Sequence, residues 1–199
     1  MSKDLINKKS DSKLLVHTCC APCSTYVFER LIMDGFTVEG FFYNPNIYPH
    51  EEYTRRLEEL LLFSGIKNYP ITIKDKVCDI WHTAIKGFEQ EKEGGHRCEI
   101  CFRLRLEETA IFAQKNNYDG FTTTLTISPH KNATVINAIG KELESKYGIY
   151  FLEADFKKND GFKKSLEISR QYNLYRQDYC GCEFSIKTDK SVSSKKNLQ

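Results

Sequence analysis

The chain has 199 residues, enough for one domain with a sizeable core, and its 29 Lys plus Arg against 27 Asp plus Glu leave a net +2 that excludes a histone-like or polybasic protein. Hydrophobic residues at 40% and charged residues at 28% are ordinary for a folded soluble protein. No apolar run approaches the roughly 18 residues of a membrane span, and the opening MSKDLINKKSDSK carries positive charge with no apolar segment behind it, so a cytoplasmic rather than an exported protein is expected.

In chain order, residues 1–12 are polar and aperiodic and read as a flexible arm. Leu14-Leu15-Val16-His17 is a short apolar run, the pattern of a buried strand. Ser24 is expected to cap a helix reaching Met33, with Gly35 as its stop. Phe36 to Tyr43 reads as a strand closed by Asn44-Pro45-Asn46, and Glu51 to Phe63 as a helix ended by Gly65. Tyr69 to Ile73 is the next strand, followed by helices around 78–92 and 98–115 that are separated by Gly94-Gly95-His96. Phe121 to Thr126 is β-branched and reads as a strand. Asn132 is expected to cap a helix over 133–147 with Gly148 as its stop, before a strand at Ile149 to Leu152 and a helix around 163–173. Strands alternating with helices predict a single α/β domain over 13–186, a mostly parallel sheet flanked by helices, with a basic tail at 187–199. Ligands of such sheets collect beyond the carboxyl ends of the strands, where Cys19 and Cys20 fall.

The net charge hides an asymmetry. Residues 157–199 hold ten Lys plus Arg and five Asp plus Glu, a net +5, so residues 1–156 carry −3. A basic carboxyl-terminal region suits a surface that faces nucleic acid, and equally a solvated helix face and tail.

Eight cysteines without an export signal read first as metal ligands or redox groups. Seven are clustered, as Cys19-Cys20-x-x-Cys23, Cys98-x-x-Cys101 and Cys180-x-Cys182. Cys78 stands apart and reads as a small hydrophobe on a helix. The C-x-x-C pair is a strong half-site for a structural zinc or an iron–sulfur cluster, with the remaining ligands drawn from the first group. Seven thiols exceed the four that a structural zinc needs, and a Cys-Cys pair at a strand end sits where sheets place substrate. Cys180-Gly181-Cys182 would close a small strained disulfide, which suits a redox-active pair, although two further metal ligands is an open reading. His17 could orient a ligand, donate a proton or simply pack in the core. Tyr172 to Cys180 interleaves aromatics with charge, as nucleic-acid contacts do and as ordinary packing also can. There is no G-x-G-x-x-G and no phosphate loop, so a bound dinucleotide or ATP has no support in the sequence.

Three stretches together carry a resemblance: Leu14 to Ser24 (LLVHTCCAPCS), Arg97 to Leu106 (RCEICFRLRL) and Leu174 to Ser185 (LYRQDYCGCEFS). Thr122 to Lys131 (TTTLTISPHK) adds a fourth. In this order they resemble the signature segments of the cobalamin-independent epoxyqueuosine reductases, the QueH family, over about residues 14–186. The resemblance implies a fold like the nucleotide-binding α/β domains of the HUP and PP-loop type. It also implies an oxidoreductase that completes queuosine in tRNA by reducing the epoxide of epoxyqueuosine to an alkene, with two electrons, two protons and release of water. It implies a [4Fe–4S] cluster on Cys19, Cys20, Cys98 and Cys101, a neighbouring mononuclear iron for which Cys23 is the candidate ligand, with Tyr43 or a carboxylate nearby, and a redox-active pair at Cys180 and Cys182. Tyr179, Asp178 and His17 are the candidate proton donors. The partners implied are tRNA carrying epoxyqueuosine in its anticodon and an electron donor, with no membrane. Two other readings are a zinc-stapled tRNA-binding module and a thiol–disulfide oxidoreductase that uses only the last pair.

Overall fold

A strand buried on both faces reads as an unbroken apolar run, and Leu14, Leu15 and Val16 lie at the centre of the sheet for that reason. The computed structural model describes residues 12–75 and 79–186. Residues 1–11 of the expected arm, Cys78 and the basic tail from 187 lie outside the described residues. Strand β1 (Lys13–His17) pairs in parallel with β2 (Thr37–Phe42) on one side and β4 (Gly120–Thr123) on the other. The outer strands are β3 (Ile71–Ile73) and β5 (Tyr150–Phe151), so five parallel strands lie in the order β3-β2-β1-β4-β5.

Because side chains alternate across a strand, each face of β1 meets a different layer. Leu14 and Val16 pack with Val27, Phe28 and Leu31 of α1 (Ala21–Met33). Leu15 faces the other way, into a cluster with Leu106 and Ala110 and with Ile136, Ile139 and Leu143. The former belong to α4 (His96–Lys115) and the latter to α5 (Ala133–Tyr147). Helix α2 (His50–Lys67) packs beside α1, with Leu60 and Phe63 against Phe42, and α6 (Gly161–Gln171) lies along α1. Each fully buried Leu or Phe contributes about 1.5–3 kcal/mol of apolar transfer. Helix α5 approaches the sheet so closely that a Cβ on Gly140 would fall 2.3 Å from the Phe151 ring.

The α/β expectation holds, and several boundaries differ for identifiable reasons. Helix α1 begins at Ala21, capped by extended Cys20 with Pro22 in its first turn, and the Ser24 hydroxyl donates to the Ala21 carbonyl (2.8 Å) instead of capping. Helix α2 runs through Gly65 to Lys67 and ends where Asn68 takes the left-handed conformation. The helix expected over 78–92 is only α3 (Ile80–Ala84) among the described residues. Beyond it Gly87 takes φ +90°, which turns the chain out of the helix, and Arg97 Nη1 then donates to the Phe88 (3.4 Å), Glu89 (2.7 Å) and Glu91 carbonyls of the turns that follow. His96, expected in the break, opens α4. Strand β4 stops at Thr123 because its hydroxyl accepts from the Leu125 N–H (3.1 Å) and bends the chain into a 3-10 turn, Thr124–Ile127. Helix α5 follows its expected bounds, with Asn132 Oδ1 accepting from Thr134 N–H (3.0 Å) and Gly148 at φ +64° behind it.

The chain builds outward from β1 to β3, then returns to β4 and continues to β5. The strand order therefore reverses between β1 and β4, and the crevice beyond their carboxyl ends is where such sheets hold ligands. The cysteine loop after β1 and the Thr124 turn after β4 flank that crevice.

Candidate metal centre

Strand β1 ends in His17 and Thr18, and the next two residues put thiols at the crevice. The Thr18 N–H still bonds Phe41 (2.9 Å), so the strand's register reaches to the edge of the loop. The Sγ atoms of Cys19 and Cys20 are 3.7 Å apart and those of Cys20 and Cys23 are 2.7 Å apart, and all three lie within 4.8 Å of one another. Cys19 and Cys20 are buried and Cys23 is half-buried. Hydrogen bonds from the two neighbouring thiols hold Cys19 well below the ordinary thiol range, whereas burial pushes Cys20 up to about 12. Gln177 donates its amide to Cys20 Sγ at 3.2 Å, which ties the carboxyl-terminal segment to this loop.

The other four thiols come together at a second point. Cys98 and Cys101, on the first turns of α4, and Cys180 and Cys182 line one small cavity of about 30 Å³. Arg97, Arg105 and Lys131 line it too, with the indole of Trp81. Among the described residues, Trp81 Nε1, Arg97 Nε and Arg105 Nη2 are buried donors without a hydrogen-bond partner. The Gly94 N–H donates to Cys98 Sγ (3.1 Å). Burial pushes Cys101 up to about 12 and Cys182 up to about 11, so both hold their protons until something binds them. All seven of these thiols are free.

Residues 174–186 form a strap of turns that carries Cys180 and Cys182 across the carboxyl edge, with a 3-10 turn at Glu183–Ser185. Gly181 sits at φ +108°, a conformation open to glycine alone, as the tight C-x-C requires. Beside the strap lies a larger cleft of about 260 Å³, reached by Cys23, Cys180 and Lys131 and walled by Phe162, Arg176 and Tyr179. Cys180 and Lys131 line both spaces, so the cleft and the small cavity adjoin along the strap.

The three proton-donor candidates have different surroundings. His17 is fully buried, its Nδ1 3.0 Å from the Thr123 hydroxyl and its Nε2 3.3 Å from the Tyr43 carbonyl. Burial, aided by the charge of Arg105, lowers its pKa to about 3. A neutral ring donating from Nε2 and accepting at Nδ1 satisfies both bonds and braces β1 against β4. Tyr179 donates its hydroxyl to the Tyr48 carbonyl, and burial raises it to about 12. Asp178 is exposed at the rim of the cleft. Tyr43 is packed in the core and lines neither space.

The structure therefore groups the seven thiols as three and four, with Cys98 and Cys101 beside the strap pair. Arg105 and Lys131 span the groups: burial works against the charge of each, but nearby thiols of both groups raise them, Cys101, Cys180 and Cys19 at Arg105 and Cys180, Cys19 and Cys23 at Lys131. Sequence reasoning singled out neither of them, nor Arg97 and Trp81. Arg97, Cys101 and Arg105 recur at every fourth position, so a search for charged residues sharing a helix face with the cysteines would have found both arginines.

A parallel α/β sheet with thiol groups at its switch point, cationic side chains among them and an open cleft alongside defines a cysteine-rich α/β protein. Solved structures share that fold. The U34-tRNA thiolase NcsA from Methanococcus maripaludis, described with its [4Fe–4S] cluster, superposes with a TM-score of 0.56 at 12% identity, over 94% of this chain and 64% of that one. A predicted subunit of tRNA methyltransferase from Methanocaldococcus jannaschii gives 0.53 at 14% identity, over 79% and 74%. The family model for epoxyqueuosine reductase QueH matches residues 14–188. Curated relatives of that name include those of Acinetobacter baylyi, 41% identical over 94% of this chain and 88% of the relative, and Thermotoga maritima, 39% identical over 87% and 90%. The chain belongs to the epoxyqueuosine reductase QueH family and is an oxidoreductase.

Proposed function

We propose that this protein reduces epoxyqueuosine in tRNA to queuosine in the cytoplasm, as the last step of queuosine synthesis. The observation that carries the reading is the convergence of seven free thiols on the switch-point crevice, beside a cleft reached by Cys23 and Cys180. No helix among the described residues is long and apolar enough to cross a membrane.

The donor set fits an iron–sulfur cluster. Thiolates are the ligands such clusters take, and N–H donors without partners suit the sulfurs of an anionic cluster. Trp81 Nε1, Arg97 Nε and Arg105 Nη2 are such donors. Cys19, Cys20, Cys98 and Cys101 would hold the cluster, and Cys23 would serve an adjacent iron. When bound, these groups would supply single-electron transfer and a Lewis acid.

The chain's own residues do the rest. The cleft receives the modified base turned out of the anticodon loop, where Tyr179 and Phe162 offer aromatic surface and Arg176 a charge for phosphate. Oxidation of the Cys180 and Cys182 dithiol to a disulfide releases two electrons and two protons. Reduction of the epoxide consumes the same number: both C–O bonds break, the C=C bond forms and the oxygen leaves as water. An external electron donor then restores the dithiol. Asp178, exposed at the cleft rim, would relay the protons, with Tyr179 able to do so only on leaving the Tyr48 carbonyl, while His17, neutral and bonded at both nitrogens, would orient the β1 end.

One observation favours a second allocation of ligands. Cys98, Cys101, Cys180 and Cys182 line the same cavity as the three unpartnered donors, so these four could hold the cluster, leaving Cys19, Cys20 and Cys23 for the iron. The test of the function is the iron, sulfide and absorbance of an anaerobic preparation, with nucleoside mass spectrometry of epoxyqueuosine tRNA before and after turnover. Iron, acid-labile sulfide and loss of one oxygen from the nucleoside are expected. Zinc without iron and no conversion would replace the reading with a zinc-stapled binding module. Activity that survives loss of the other five clustered cysteines would leave only a thiol–disulfide oxidoreductase. The allocation is tested by the Cys180→Ser, Cys182→Ser double variant, which keeps its iron and sulfide under the first assignment and loses them under the second.

A further inference from the structure

Helix α2 contributes no cysteine and lies outside the sheet, yet its buried face carries an ion pair. Arg56 is 1% exposed and Glu52 8% exposed. The Arg56 Nε donates to Glu52 Oε1 at 2.6 Å, while Nη1 donates to the Cys180 carbonyl at 3.1 Å and Nη2 to the Tyr179 carbonyl at 3.2 Å. The next carbonyl along, of Gly181, accepts from the Tyr48 N–H at 2.8 Å. Three successive carbonyls of the strap are thus each fixed from outside the strap. Glu52 is braced in turn by the Tyr175 hydroxyl (2.9 Å), and the Tyr175 N–H donates to Glu59 two turns further along α2 (2.8 Å). Gly181 lies so close over the guanidinium that a Cβ there would meet Arg56 Nη1 at 2.8 Å.

This geometry is more specific than a buried salt bridge needs to be. A planar guanidinium holds a carboxylate and two consecutive carbonyls in one plane, and a lysine cannot. Of the clamped residues, Cys180 lines both the small cavity and the cleft, Tyr179 lines the cleft, and Gly181 joins Cys180 to Cys182, which lines the small cavity. We propose that Arg56 and Glu52 are positioning residues: they fix the backbone of Tyr179 to Gly181, and thereby set where the Cys180 and Cys182 thiols meet the bound base and the other cysteines. The proposal rests on the reading that these two thiols act in epoxide reduction.

The test compares Arg56→Lys and Tyr175→Phe with wild type, as anaerobic holoprotein. Amide hydrogen exchange is followed peptide by peptide, and kcat and KM are measured on an epoxyqueuosine-containing anticodon hairpin. In R56K, exchange over 176–183 should rise about tenfold or more with α4 and α5 peptides unchanged. Its kcat should fall about tenfold or more, with KM changed by less than about threefold. Y175F should show the same pattern at smaller amplitude. A folded R56K with the wild-type exchange rate in the strap and kcat within about twofold overturns the proposal, as does exchange that rises equally across the chain. If R56K does not fold, Y175F decides: unchanged strap exchange overturns the clamp. If wild type turns over no epoxide, the functional reading fails, and strap exchange alone still judges the clamp.

Discussion

Two of the places where this molecule presents cysteines, the loop after β1 and the strap, are built in different ways. The segment Cys19 to Cys23 is an extension of backbone structure: β1 delivers it, the Thr18 N–H keeps the strand's register, and α1 begins at Ala21 with Pro22 in its first turn. The strap has no such support. Among the described residues its regular structure is one 3-10 turn, and its position comes mainly from side chains: Arg56, Glu52 and Glu59, remote in sequence, and its own Gln177 reaching to Cys20, with one backbone bond from the Tyr48 N–H. Backbone-built positions fail only when the fold fails. Side-chain-built positions can be lost alone, so the strap is where a local change can remove function and leave the frame standing.

The largest expected effect tests the frame-built side. Cys98→Ala, on the first turn of α4, removes a proposed cluster ligand under either allocation. It should abolish both the brown colour and turnover while circular dichroism of the frame persists. Anaerobic absorbance with iron and sulfide analysis checks it, and full colour in C98A breaks the ligand assignment. A smaller and more local effect is expected at the strap. Gly181→Ala places a side chain at φ +108° against Arg56, a strain of about 1–3 kcal/mol. Turnover should drop about tenfold or more with iron content kept under the first allocation, and with the melting temperature lowered by only a few degrees. A variant that loses turnover and global stability together would show that the strap is part of the frame after all.

What the sequence disclosed follows the same division. Helix α5 was legible to the residue because its signals are local: Asn132 caps it with its own side chain, and Gly148 takes the positive φ that ends it. The α/β class, the central strand and the three cysteine groups were legible for the same reason. The missing length of α3 was not, because the turns that replace it are held by Arg97, eight and nine residues away from Glu89 and Phe88. Nor was the three-and-four grouping of thiols, since it depends on where the strap lands, and that is decided by Arg56, 124 residues from Cys180 in sequence. The charged pair Glu52 and Arg56 at helical spacing looks like any solvated face until its burial is seen.

A third effect stays within the frame. Asn132→Ala removes the side-chain acceptor of two N–H groups at the start of α5 and should cost about 1 kcal/mol. Urea unfolding checks it. Because Asn132 adjoins Lys131, which lines both the cleft and the cavity, fraying of this turn should also raise KM modestly; an unchanged stability would mean that the cap is replaced by water.

The smallest effect separates frame electrostatics from the site altogether. Glu39, on β2, accepts from the Thr72 hydroxyl of β3 at 2.6 Å and pairs with Lys13 of β1 at 3.3 Å, so one carboxylate ties three neighbouring strands. Burial, the strongest single influence, pushes its carboxyl up, but the Thr72 and Tyr118 hydroxyls and Lys13 together hold it below the ordinary value. A carboxyl whose folded pKa lies below its unfolded one stabilises the fold above the unfolded value, about 4.3 for Glu. That stabilisation is lost as pH falls through the folded value. Glu39→Gln should therefore be less stable than wild type at neutral pH by less than about 1 kcal/mol, and the gap should close in acid. Urea midpoints of both proteins at neutral pH and on the acid side measure it. Turnover at neutral pH should be unchanged, because Glu39 lines neither the cleft nor the thiol cavity. If E39Q altered turnover as G181A is expected to, the sheet's interior would be coupled to the strap, and the separation of a rigid frame from a clamped strap would fall with it.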